Sequence, residues 1–411
     1  MKIIKDKRKI YFSILYLMFV GDFISRVGIN SIFPILQKQL NITDSQLGIL
    51  SGVVLLGMAS FVLIISYLGE KTSKRNVIAI SALIWGVGSL FSGFASGFIL
   101  LVLSRFFVGI GNSAYAPLAT STLTGLYDKS KWGKVIGLFN TAMTVGGAIG
   151  GILFVKIAST FGWRAGFYFI GVVSIVLSGL SLIIPDNRVK DNKNNNKNNV
   201  VSVKIAFKSI ISNKALIIMC IGAGIATMAL MAINSWMSIY LVREMNLSIT
   251  TVANLISIMA LLSVVGFPIG GILLDILCKK SKKSRVLFPA VCITLTGIFY
   301  FIGFYFKSIP VILFAATLYT FGGTAFHTAT QELVPTQLRS ISYGTYVVFI
   351  QFLGALGPIF TGAISQVFGI GIAILIVQAF FILSAIILVI SSIFYIKCFE
   401  EARAEDMVEV A

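Results

Sequence analysis

Charge is scarce in this sequence. Asp, Glu, Lys and Arg make up 12% of its 411 residues, where a soluble protein carries about 25%. That shortage excludes a soluble globular domain, and the 57% share of hydrophobic residues points to an integral membrane protein. Acids are scarcer than bases, 15 against 33, which leaves a net charge of +18. Such an excess invites a nucleic-acid reading, but the bases sit in short gaps between apolar runs, where the positive-inside rule puts them. Nucleic acid is therefore not an expected partner. The four cysteines (Cys220, Cys278, Cys292 and Cys398) show no paired spacing, so neither a disulfide framework nor a metal site is expected. There is a single histidine, no Ser/His/Asp set and no phosphate-binding loop. Catalysis, cofactors and ATP-driven work by this chain are thus not expected. Nor is a cleavable signal, because the run Ile10 to Leu36 is too long and no small-residue cleavage site follows it.

Long apolar runs are abundant. A membrane-spanning helix needs about 20 of them in sequence, and twelve segments qualify: 10–36, 47–68, 76–96, 98–126, 133–156, 165–184, 215–241, 249–274, 286–306, 309–334, 341–364 and 370–396. Of the 33 Lys and Arg residues, 26 fall at the termini, the central linker and one set of loops, and five in the opposite loops. Both termini are expected in the cytoplasm, with the chain in the cytoplasmic membrane. The expected division is a six-helix bundle over 1–184, a cytoplasmic linker over 185–214, a second bundle over 215–396 and a tail over 397–411. The linker stretch "NKNNNKNN" has no hydrophobic period and is expected to be disordered.

The two halves echo each other. Glu70 and Asp275 stand at matching helix ends before basic turns. "GGAIGG" at 146–151 in span 5 is matched by "GALGPIFTG" at 354–362 in span 11. A repeat of this kind predicts two bundles related by an axis along the membrane normal, with a binding site at mid-depth.

Two arginines lie inside spans. In "VGDFISRVGIN", Asp22, Arg26 and Asn30 are spaced i, i+4, i+8 on one face of span 1. A charge at the bilayer centre costs roughly 2.5–3.5 kcal/mol on insertion scales, so that face must look at protein or water. Either Asp22 and Arg26 form a self-neutralising pair, or Arg26 meets a ligand while Asp22 serves as counter-charge or proton acceptor. Arg105 in span 4 lies at a similar depth, and a shared anion would relieve the two cations. Alternatively, Arg105 only braces its span.

By these residues the sequence resembles the major facilitator superfamily across essentially the whole chain. The loop after span 2, Ser66 to Arg75, keeps the acid (Glu70) and the basic cluster (Lys71, Lys74, Arg75) of that family's pattern, with Ser66 and Ser73 in place of its glycines. Span 4 supplies Arg105, Gly109, Gly111 and Pro117; span 5 supplies Gly146, Gly150 and Gly151. Within the family the sequence is similar to the spinster-like and anion:cation symporter branches. Arg26 and Pro34 keep their spacing, while Ser25 and Asn112 stand where those branches carry acids.

The resemblance implies an all-α fold with twelve spans in two pseudo-symmetric bundles, and secondary transport by alternating access. The expected substrate is a small organic anion held by Arg26 and Arg105, with Asn30, Asn112, Tyr115, Asn234, Trp236, Thr324 and Gln351 around it. Asp22 and His327 are candidates for coupling to protons or another ion; His327 belongs to a polar stripe on span 10 with Thr317, Thr320, Thr324 and Gln331. Glu70, Lys71, Arg75, Asp275 and Glu332 are the expected gate. Gly109, Gly111, Gly146, Gly150, Gly354, Gly357 and Pro358 are read as helix-packing residues. The partners implied are the substrate, the coupling ion and membrane lipids, around a monomer. Two alternatives stay open: a multidrug or lysolipid exporter working by proton antiport, and a transporter-like receptor or sensor.

Overall fold

The computed structural model describes the backbone of residues 2–128, 131–186, 212–335 and 338–410. Side chains at 2–6, 70, 324, 327, 340 and 405–410 lie outside the described set. The Asn-rich part of the linker therefore falls outside it too.

Among the described residues, twelve helices are long and apolar enough to cross a membrane. They run Lys7–Ser31, Asp44–Gly69, Lys74–Phe94, Phe98–Leu126, Trp132–Phe161, Trp163–Ser181, Lys214–Arg243, Ile249–Lys280, Ser284–Tyr305, Ile309–Glu332, Ile341–Phe368 and Ile370–Ala404. We number them spans 1 to 12. Each matches one apolar run of the sequence.

Three local departures have clear causes. Span 1 was expected to continue to Leu36, but the helix stops at Ser31 and a separate helix, Phe33–Leu40, begins with proline in its first turn. Pro34 has no N–H for the carbonyl of Asn30 four residues back, so the ladder breaks there. Span 4 is likewise divided into Phe98–Asn112 and Tyr115–Leu126, with Pro117 just past the break. At the other end the expected tail is helical, since the helix of span 12 runs on to Val410. Its extension is rich in Glu and Ala, which propagate helix well, and Lys397 lies 3.9 Å from Glu401 one turn on.

Helix starts are chemically marked. Thr43 accepts from the Gln46 amide while the Gln46 side chain accepts from the Thr43 amide, a reciprocal capping box at span 2. Ser73 caps span 3 through the Asn76 amide. Spans 5 and 6, and spans 11 and 12, are joined by single glycines with φ of +83° (Gly162) and +82° (Gly369). Only glycine takes that conformation without strain, so both corners turn the chain in one residue.

Close helix crossings repeat in the two halves of the sequence. A Cβ on Gly146 would strike span 1 at Val20 and Phe23, and one on Gly357 would strike span 7 at Met228. Gly109 lies on span 2 at Val54, and Gly270 on span 8 approaches span 10 at Phe321. Gly86 lies against span 6 at Gly171 and Ile175, and Gly297 on span 9 against span 12 at Phe381. The pairings 1–5, 2–4 and 3–6 thus recur as 7–11, 8–10 and 9–12. By compactness the chain divides along different lines. One unit comprises Met1–Asp191, Asn234–Leu261 and Pro358–Ile370, and the other Asn192–Ile233, Leu262–Gly357 and Gly371–Ala411. The ends of spans 7 and 11 and the start of span 8 therefore group with the first six spans.

Candidate functional site

The charged face predicted for span 1 is formed. Arg26 donates twice to Asp22, Nε to Oδ1 at 2.9 Å and Nη2 to Oδ2 at 2.7 Å. Asp22 is fully buried, and the Arg26 side chain keeps 24% exposure. The i, i+4 spacing closes this bidentate pair within one helix. The Arg26 guanidinium also stands 5.1 Å from the Phe23 ring.

Arg105 is different. It is 1% exposed, and no carboxylate pairs with it among the described residues. Its Nη2 lies 3.5 Å from Ser25 Oγ, its guanidinium carbon lies 5.3 Å from the Phe167 ring, and its Nε has no partner. The contact with Ser25 puts Arg105 at the level of Arg26, the depth expected from the sequence. Two turns along the same helix, Asn112 is 3% exposed and neither amide atom is hydrogen-bonded. A buried ion without a counter-charge is costly. This helix face therefore carries unmet demand for an anion and for polar contacts.

The remaining expected ligands are dispersed. Tyr115 is buried; its hydroxyl donates to the Leu15 carbonyl at 2.5 Å and its ring packs on Trp85, so it braces span 4 against span 1. Asn234 is exposed and Gln351 half-buried. The side chains of Thr324 and His327 lie outside the described ones. Gly111 and Gly150 are close-packed, against Trp85 and Ile24 respectively.

Asn30 and Trp236 belong to a seam at the span ends that the charge rule assigns to the outside. Pro34 leaves the Asn30 carbonyl without its helical donor, and the Ser238 hydroxyl donates to it instead. Ser51 Oγ lies 3.3 Å from Asn30 Oδ1 and 2.6 Å from Ser235 Oγ. Trp236 Nε1 donates to the Pro358 carbonyl at 3.1 Å. Further out, Asp44 is 7% exposed. Its carboxylate accepts from Arg243 Nη1 and Nη2 at 2.9 Å each, from Gln37 Nε2 at 2.6 Å and from Ser365 Oγ at 2.5 Å. Its amide donates to Gln366 Oε1 at 3.0 Å, and Arg243 also donates to Gln37 Oε1. All these residues lie within the first compact unit. Sequence reasoning did not single out Asp44, Arg243, Gln37, Ser365 or Gln366, because an acid in a helix first turn and a base at a helix end look like ordinary caps.

At the opposite ends, Asp275 and Glu332 are brought together by a residue not placed in the expected gate. Arg285 lies 3.8 Å from Asp275 and 3.0 Å from Glu332, and the Tyr395 hydroxyl donates to Glu332 at 3.0 Å. Asp275 remains 75% exposed. Arg75 donates to its neighbour Asn76, and Lys71 stands 5.5 Å from the Tyr67 ring. The side chain of Glu70 is not among those described.

Among the described residues, twelve apolar helices with a charged pair and a buried arginine in their midst make a multi-pass, all-α membrane protein, and its family match makes it a transporter rather than an enzyme. The family model "Major Facilitator Superfamily" matches residues 15–358, and the chain belongs to that family. The chain is 23% identical over 385 residues to a hexuronate transporter of Bacillus subtilis, covering 88% of each protein. It is 29% identical over 168 residues to a probable sulfoacetate transporter of Cupriavidus necator, 41% of this chain and only 39% of that one. A solved bacterial homologue of the human lysosomal transporter spinster, inward-facing and unoccupied, has the same fold with a TM-score of 0.78. That match has 20% identity and covers 97% of this chain and 98% of the other.

Proposed function

We propose that the protein moves a small organic anion across the cytoplasmic membrane by alternating access, coupled to protons. The observation that carries this reading is Arg105, an ionised side chain buried at mid-span with no acidic partner among the described residues. A carboxylate or sulfonate would supply the missing charge and accept the free N–H. The names of two relatives support the class, since sulfoacetate and hexuronate are both small organic acids. Arg26 is the second cation. It is satisfied while Asp22 is ionised, and protonation of Asp22 would release the guanidinium to the substrate. In that scheme proton and anion bind together, which is the requirement for symport. Both termini face the cytoplasm, and the protein acts as a monomer divided at the central linker.

Uptake of radiolabelled sugar acids and short sulfonates into proteoliposomes tests the reading. Accumulation should follow an imposed inward proton gradient and vanish in Arg105→Ala at unchanged protein level. Transport by that variant at the wild-type rate would remove the anion argument; indifference to the gradient would remove the coupling. A second reading, movement of a lysolipid, is supported by the name of one further relative, a sphingosine-1-phosphate transporter of Danio rerio that is 28% identical over 136 residues. Uptake of lysophospholipid but of no small acid would establish it instead.

A further inference from the structure

The outer seam has no role in binding as proposed above, yet it gathers the most fully satisfied carboxylate described in the chain. Asp44 stands at the start of span 2. Its four side-chain donors come from three other places: Gln37 on the short helix after span 1, Arg243 at the end of span 7 and Ser365 near the end of span 11. Gln366 adds a bond to the Asp44 backbone. The segments concerned are far apart in sequence, up to 322 residues for Asp44 and Gln366. The backbones also approach closely here. A Cβ on Gly48 would strike the Pro358 carbonyl, and one on Gly362 would meet the Asp44 carbonyl and the Trp236 ring. The outer ends of spans 2, 7 and 11 are thus fastened at one buried charge.

We propose that Asp44 is the latch of the outer gate: its ion pair with Arg243 holds the outer ends of spans 7 and 11 on the first six spans, and outward opening must break it. Three features suit that task. The acid is shielded, its side chain 9% exposed against 36% for Arg243, so salt and water weaken the pair less than one with both ends in solvent. The partners are directional, because a bidentate guanidinium fixes both distance and orientation. Beneath it the described contacts carry no further charge pair: they are the Ser51–Ser235 and Ser238–Asn30 bonds, a Ser257 hydroxyl donating to the Ala148 carbonyl, the edge-on Phe33–Trp236 rings and the close glycine crossings. Loss of the charge pair therefore removes the strongest single tie among the described contacts of the seam. The inference rests on the alternating-access reading but not on the substrate named there.

Hydrogen–deuterium exchange of the full chain in lipid nanodiscs, without substrate, reads the latch directly. In Asp44→Asn, exchange of backbone amides in segments 235–248 and 358–368 should rise about ten-fold, which corresponds to about 1.4 kcal/mol of lost closure. Segments 275–290 and 325–335 at the opposite ends should not change. The exchanged pair Asp44→Arg with Arg243→Asp should restore much of the protection, and Ser365→Ala should give a smaller rise than Asp44→Asn. Unchanged exchange at the outer ends in Asp44→Asn would overturn the proposal. So would a uniform rise over all spans, which means general destabilisation, or a failure of the exchanged pair to protect. Because no ligand enters the assay, a wrong substrate class leaves the result untouched.

Discussion

Arg26 and Arg105 show how one residue type carries opposite costs in two settings, paired with Asp22 in one and buried without a carboxylate partner among the described residues in the other. The Asp22–Arg26 pair was legible in the sequence, because i, i+4 spacing on a helix leaves two opposite charges within reach. The isolation of Arg105 was not, since it depends on what Ser25 and Phe167 present from two other helices. An unpaired buried charge works against folding. Arg105→Met should therefore raise the melting temperature by a few degrees, about 1–3 kcal/mol of added stability, while transport is lost. A fall in melting temperature would show that the arginine braces its span. The span-1 pair should behave in reverse. Asp22→Ala alone should destabilise more than Asp22→Ala with Arg26→Ala, because the single change leaves a half-buried cation unmatched. Losses of the two single changes that simply add up to that of the double would mean the pair is not coupled. The Asp44 cluster escaped sequence reading for a further reason: its members come from four separate segments, and nothing periodic links them.

At the scale of elements, hydropathy located all twelve spans, and the misjudged boundaries fell at residues whose effect is local. Pro34 and Pro117 each remove one backbone donor, and each interrupts a run that hydropathy alone reads as continuous. Glycines divide into two kinds that the sequence does not distinguish. A side chain at Gly162 meets open space, so Gly162→Ala pays only for its backbone angles (φ 83°, ψ 158°), of order 1–3 kcal/mol. Gly162→Asn should recover none of that loss, since the left-handed region that asparagine tolerates lies at much smaller ψ. Gly357→Ala instead drives a methyl group into the Met228 carbonyl of the neighbouring span. It should lower the melting temperature more than Gly162→Ala does, by several degrees in a thermal unfolding scan of the purified protein. The reverse order would contradict the packing described for spans 7 and 11.

For the whole molecule, the repeat of three helix pairings in the two halves was foreshadowed by matched glycine runs and by Glu70 and Asp275. The grouping of the outer ends of spans 7, 8 and 11 with the first six spans had no such signal. Ligand class is also a whole-molecule property, and a thermal-shift screen reads it. A substrate present at 100 times its dissociation constant should add about 2.7 kcal/mol to the folded state, and that gain should disappear in Arg105→Ala for acids but persist for any lysolipid. The seam beneath Asp44 has one more effect. Its hydrogen bonds join hydroxyls, amides and carbonyls, so each such group parted from its neighbour finds a water molecule as a substitute, with small net change. Parted faces would be wettable, and the energy difference between shut and parted forms shallow. A modest preference of any bound molecule for one form is then enough to tip the balance.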